Sequence, residues 1–121
     1  MTTETRQTPA PMWLWPVAAF TAAFLVNALP HTLMGLTVHR FPTPFSGGPG
    51  TLSSPMVNTL WGLSNIVIAA GLLRLMRPWL GRWAVRWTMV VAAFAFAVFL
   101  TWAIGSVRNW LAFRSIKSTY F

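Results

Sequence analysis

The stretch MVNTLWGLSNIVIAAGLLRLM, Met56 to Met76, decides the fold, because it is predominantly apolar and its one charge, Arg74, stands near its end. At ~1.5 Å rise per residue, a helix needs about 20 such residues to cross a hydrocarbon core of ~30 Å, and this run supplies them. Two other runs are comparable, Trp13 to Leu36 and Trp87 to Ile104. The third is bracketed by Trp87 and Trp102, whose amphipathic rings suit the headgroup level. The first carries Pro16 and Pro30, so a bent or broken last turn is expected there.

Composition leads to the same class. Hydrophobic residues make up 55% of the 121-residue chain and charged residues only 8%, too few to coat a water-soluble surface. The expectation is an all-α membrane protein forming one domain. Its three transmembrane helices lie near 13–36, 55–76 and 86–106, after a polar N-terminal tail, 1–12. A structured Pro/Gly-rich loop, 37–54, joins the first two. The C-terminal segment, 107–121, carries Trp110, Leu111, Phe113 and Ile116 with Arg114 and Lys117. It reads as an amphipathic surface helix or as a continuation of the third helix.

The net charge of +8 would suggest nucleic acid in a soluble protein, but here the charges flank the spans. Arg74, Arg77, Arg82 and Arg86 crowd the second connection, where topology and lipid contact place basic residues, so no nucleic-acid partner is expected. Charge density in that short connection favours a cytoplasmic N-terminus with the Pro/Gly loop outside, although the basic tail pulls the other way. The N-terminal segment lacks the basic start of a secretory signal, so the first span is read as retained.

There is no cysteine, and the one acidic residue, Glu4, lies in the N-terminal tail. Thiol chemistry and membrane carboxylates are therefore excluded, and no serine sits in a recognisable nucleophile motif. The chain reads as non-enzymatic, with no catalytic residue. His31 and His39, eight apart without cysteine or carboxylate, are too few for a structural metal site, and no cofactor is expected.

Ala18 with Ala22, Ala19 with Ala23, and Ala93 with Ala97 are small-xxx-small pairs suited to close helix packing. Val17-Ala-Ala-Phe20 recurs as Val91-Ala-Ala-Phe94, but membrane composition produces such a match by chance, and no repeat is read from it.

The polar residues inside the spans hold the chemical information. Asn58, Trp61, Gly62 and Asn65 fall at i, i+3, i+4 and i+7, on one helix face. On the first span, Asn27 and His31 are four apart around Pro30. From the helix rise, Asn27 lies ~12 Å deep, between Asn58 at ~4.5 Å and Asn65 at ~15 Å, so the two faces can meet. They serve either as interhelical hydrogen-bonding glue or as the lining of a polar pocket with His31 at its mouth.

The loop RFPTPFSGGPGTLSSP, Arg40 to Pro55, cannot be helical, and its Phe-Pro-Thr-Pro-Phe core holds Phe41 and Phe45 on a stiff extended stretch. These rings are expected to dip into the interface or fold over the helix ends. Ser53 or Ser54 before Pro55 is a helix-start signal. With His39 and Arg40 nearby in sequence, Ser54 marks a place for an anion or a lipid headgroup.

His31-x3-Gly35, Phe41-Pro-Thr-Pro-Phe45, Ser53-Ser-Pro55 and Asn58-x2-Trp61-Gly62 together resemble the pattern of small bacterial inner-membrane proteins of no assigned activity. The resemblance stops before the third span. It implies a bacterial inner-membrane setting and carries over no catalytic role. Two functions follow from the residues. One is a component embedded in the lipid bilayer, acting as an accessory subunit of a larger membrane complex or as a homo-oligomer that binds lipid or an apolar partner. The other is an oligomeric small-solute channel or transporter lined by Asn27, His31, Asn58 and Asn65.

Overall fold

A computed structural model describes residues 9–48 and 50–120, with side chains described as far as residue 109. The start of the polar N-terminal tail and the side chains behind the amphipathic reading of the C-terminal segment lie outside the described residues. Among the described residues three α-helices make up the fold: α1 (Leu14–Leu36), α2 (Pro55–Met76) and α3 (Trp83–Tyr120). A 3-10 turn, Arg77–Trp79, links α2 to α3. All three helices are long and apolar enough to cross a membrane, so the chain is an all-α membrane protein.

Pro30 does not break α1, which continues through it to Leu36. Proline removes one donor, that to the Val26 carbonyl. The residues beyond it, His31 and Gly35, are buried, and each is engaged with α2. That packing holds the last turns helical where the sequence alone suggests a bend or break.

The helix ends are set by local chemistry. Ser54 caps α2, its Oγ accepting from the Val57 amide at 3.3 Å, with Pro55 at the first helical position. At the end of α1, the His39 amide donates to Met34 O at 2.8 Å and the Val38 amide to Gly35 O at 3.1 Å. This is a Schellman closure, and it places Val38 at φ 61°, a left-handed position that ordinarily takes glycine.

α1 is the central element: it packs along α2 and against α3, while α2 and α3 share no extended contact. Leu14, Ala18, Met76 and Val85 form the buried core at the N-terminal end of α1, where all three helices converge. Trp79 closes that end, its ring edge-on to Trp13 at 5.3 Å and its Nε1 donating to Pro9 O at 3.1 Å. Further along, α2 buries one stripe, Asn58, Gly62, Asn65, Ala69 and Met76. These steps of three, four and seven residues keep a single seam against α1.

Glycine sets the spacing of that seam. A Cβ on Gly35 would lie 2.5 Å from the Thr59 amide nitrogen, and one on Gly62 would lie 2.6 Å from the Thr32 amide nitrogen. Each helix thus offers a bare glycine to a threonine of the other, four positions of one local two-fold arrangement. Such backbone contact is the means by which helices associate in lipid, where no hydrophobic force separates partner from solvent.

Most hydroxyls in the spans are satisfied within their own helix. Thr21, Thr59, Ser64, Thr88, Thr101 and Ser106 each donate to the carbonyl four residues earlier, at 2.7–3.1 Å. α3 differs from the others in exposure, since no residue of its most apolar window is buried within the chain. At ~1.5 Å per residue its 38 residues extend ~57 Å, well beyond the hydrocarbon thickness. The segment from 107 to 120 therefore continues the third helix.

Candidate functional site

The polar residues of α1 and α2 converge on the loop end of the hairpin. Asn58 is fully buried at the first turn of α2, where the cap at Ser54 fixes its direction. The two N–H groups of its Nδ2 are shared among three carbonyls within hydrogen-bond distance, Phe41 O at 3.1 Å, Ser53 O at 3.3 Å and Ser54 O at 3.1 Å. Carbonyls only accept, so the amide nitrogen must face them and Oδ1 must face the other way. Oδ1 lies 2.9 Å from His31 Nδ1, which makes His31 the donor. The other ring nitrogen, Nε2, has no hydrogen-bonding partner among the described residues.

One side chain thus ties α1 to the loop and to α2. The loop carbonyls it gathers come from a single antiparallel bridge, in which Ser53 N donates to Phe41 O at 3.0 Å and Phe41 N to Ser53 O at 3.4 Å. Thr43 Oγ1 meets Ser53 Oγ at 2.6 Å, and the Phe45 amide donates to Thr43 Oγ1 at 3.2 Å. The glycines supply the reversal: Gly47, Gly48 and Gly50 all have positive φ.

The aromatic rings fold over the helix ends. Phe41 is buried edge-on against the His31 ring at 5.2 Å, and Phe45 stands edge-on to Trp61 at 5.2 Å while keeping one face exposed. Trp61 also lies edge-on to His31 at 6.5 Å. Its indole Nε1 is buried without a partner among the described residues, as is Thr32 Oγ1, which rests over Gly62.

Deeper in the hairpin, Asn27 Nδ2 donates to Asn65 Oδ1 at 3.1 Å, and Asn65 Nδ2 donates to Trp61 O at 2.6 Å. Asn27, His31, Asn58, Trp61 and Asn65 therefore form two short hydrogen-bonded ladders joined by the Trp61 residue. Among the described residues no cluster of three metal-ligating side chains occurs.

His39, Arg40 and Ser54 do not gather at one point. Ser54 Oγ is occupied by its helix cap, whereas His39 and Arg40 border a groove between the end of α1, the loop and α3. This groove has a volume of about 650 Å³, and Arg108 of α3 stands across it. Its floor is apolar, formed by Met34, Phe41 and Ile104 among others. A second cavity of about 300 Å³ continues it along the α1–α3 seam, sharing Pro30, Thr101 and Ile104 and reaching Val26 and Ala97.

Sequence reading missed the glycine notches, the loop carbonyls beneath Asn58 and the approach of Arg108. A signal for the first was present: His31-Thr-Leu-Met-Gly35 and Asn58-Thr-Leu-Trp-Gly62 share Thr-Leu-x-Gly, and the paired His31 and Asn58 open the two copies. Compared with known protein families, curated proteins and solved structures, the chain has no significant match.

Proposed function

We propose that this chain is a non-enzymatic integral membrane component, in a bacterial inner membrane, that binds a lipid or apolar partner at its loop end. It would act as an accessory subunit or a small oligomer. The observation that carries this reading is that Asn27, His31, Asn58 and Asn65 are held by hydrogen bonds to one another, to the loop and to the Trp61 carbonyl. Conduction through Asn27, His31, Asn58 and Asn65 would require breaking the contacts that position them. The exposed α3, with nothing of its most apolar window buried, offers surface to lipid or to another membrane protein. The bacterial setting is supported by the loop motifs.

Purification in mild detergent followed by mass spectrometry should recover a bound lipid or membrane protein. That partner should be lost on Asn58→Leu, which unhooks the loop. Reconstituted vesicles should show no small-solute flux above empty vesicles. A flux present in the wild type and abolished by Asn58→Leu would overturn the reading in favour of a pathway.

A further inference from the structure

From the groove between α1, the loop and α3, we infer a binding site for one anionic phospholipid, its phosphate between Arg40 and Arg108 and one acyl chain along the α1–α3 seam. This deepens the reading above and rests on it. The described residues contain no carboxylate side chain, so neither arginine has an acidic partner among them. Both border the same cavity, with His39 beside them and an apolar floor below. Two cations above an apolar trough are complementary to a molecule that is anionic at one end and hydrocarbon at the other.

The depth of the trough fits that occupant. The seam continues from the headgroup end to Ala97, eleven helical positions from Arg108, or ~16 Å at the helical rise. That is about half of the ~30 Å hydrocarbon core, the depth of a single leaflet. A soluble anion would use the arginines but leave the seam empty, and a diacylglycerol would use the seam but leave the arginines unpaired. Gly105 lines the groove with nothing within 4 Å of where a Cβ would stand. A Cβ there therefore meets no protein atom and leucine favours the helix, while the rest of its side chain would enter the groove proposed for the lipid.

The test is native mass spectrometry of delipidated protein titrated with dioleoyl phosphatidylglycerol in micelles, with dioleoylglycerol and inorganic phosphate as competitors. The wild type should take up one phosphatidylglycerol that neither competitor displaces. Arg40→Gln with Arg108→Gln should weaken uptake roughly tenfold, Gly105→Leu should weaken it comparably, and Arg74→Gln with Arg77→Gln, at the other end of the molecule, should leave it unchanged. Wild-type uptake by the Arg40/Arg108 pair or by Gly105→Leu would overturn the site, as would equal loss in the Arg74/Arg77 control or displacement by phosphate alone. A chain that takes up no phospholipid, keeps an apolar partner and conducts no solute overturns this inference alone; solute flux overturns the reading beneath it.

Discussion

His31 donates from Nδ1 to Oδ1 of Asn58 across 2.9 Å, and this bond joins the opening residues of the two Thr-Leu-x-Gly segments on α1 and α2. Gly35 is seated on Thr59 and Gly62 on Thr32, so the two segments make the same contact in reverse. The symmetry is broken by chemistry. Asn58 also reaches the loop carbonyls, whereas His31 turns its ring edge to Phe41. The same residue pair therefore packs the helices and positions the loop.

Removing Asn58 should cost more than removing His31. Asn58→Leu leaves the buried His31 N–H unpaired, at about 1–3 kcal/mol, and takes a further donor from the Phe41 and Ser53 carbonyls, which keep only their bridge bonds to each other's amides. A total loss of about 3 kcal/mol is expected from unfolding in micelles, against about 1–2 kcal/mol for His31→Ala. Equal losses would mean that the loop carbonyls find other donors and that Asn58 is not the hub.

The glycine notches predict a steric asymmetry among the glycines of α1 and α2. Alanine at Gly35 or Gly62 would place a methyl within about 2.6 Å of a backbone nitrogen and force the helices apart. Loss of about 2 kcal/mol or more is expected for each. Gly71, with nothing within 4 Å, should gain up to about 1 kcal/mol as Gly71→Ala from helix propensity. Because the chain has no cysteine, spin labels on introduced cysteines can report the helix separation directly. Unchanged separation in Gly62→Ala would refute the notch.

The three spans were legible because apolar length is itself the physical requirement for crossing a bilayer. The meeting of Asn27 and Asn65 was legible from depth, since the helix rise converts sequence position into height. Asn58 was recognisable as a polar face residue, but its acceptors are backbone carbonyls of Phe41, Ser53 and Ser54, and a carbonyl has no residue type to read. The Thr-Leu-x-Gly repeat was visible yet carried no meaning until an antiparallel crossing set each glycine against the other copy's threonine. Arg40 and Arg108 come together only because α3 packs on α1 and not on α2, a choice between two apolar surfaces that hydropathy cannot make.

Asn27 and Asn65 should couple weakly compared with the site above them. Asn65 keeps a second bond to Trp61 O, so Asn27→Ala leaves it partly satisfied. A double-mutant cycle with Asn27→Ala and Asn65→Ala should give about 0.6 kcal/mol of coupling and no more than about 2 kcal/mol, the range for interhelical hydrogen bonds in membranes. A coupling indistinguishable from zero would place the two amides apart.

Val38 offers the converse test, a substitution that should stabilise. It sits at φ 61° in the Schellman closure of α1, a left-handed conformation that costs an L-residue roughly 1–2 kcal/mol and is least suited to a β-branched one. Its side chain is exposed, so no packing is lost when it is replaced. Glycine occupies this conformation freely but also adds freedom to the unfolded chain, which offsets part of the gain. Asparagine tolerates the conformation with less of that penalty. Val38→Asn and Val38→Gly should therefore each raise stability by up to about 1 kcal/mol, with Asn at least equal to Gly. Val38 immediately precedes His39 and Arg40, and the turn it makes carries both residues to the groove. If either variant is less stable than the wild type, the turn is not held in the left-handed conformation, and the placement of Arg40 opposite Arg108 loses its backbone support.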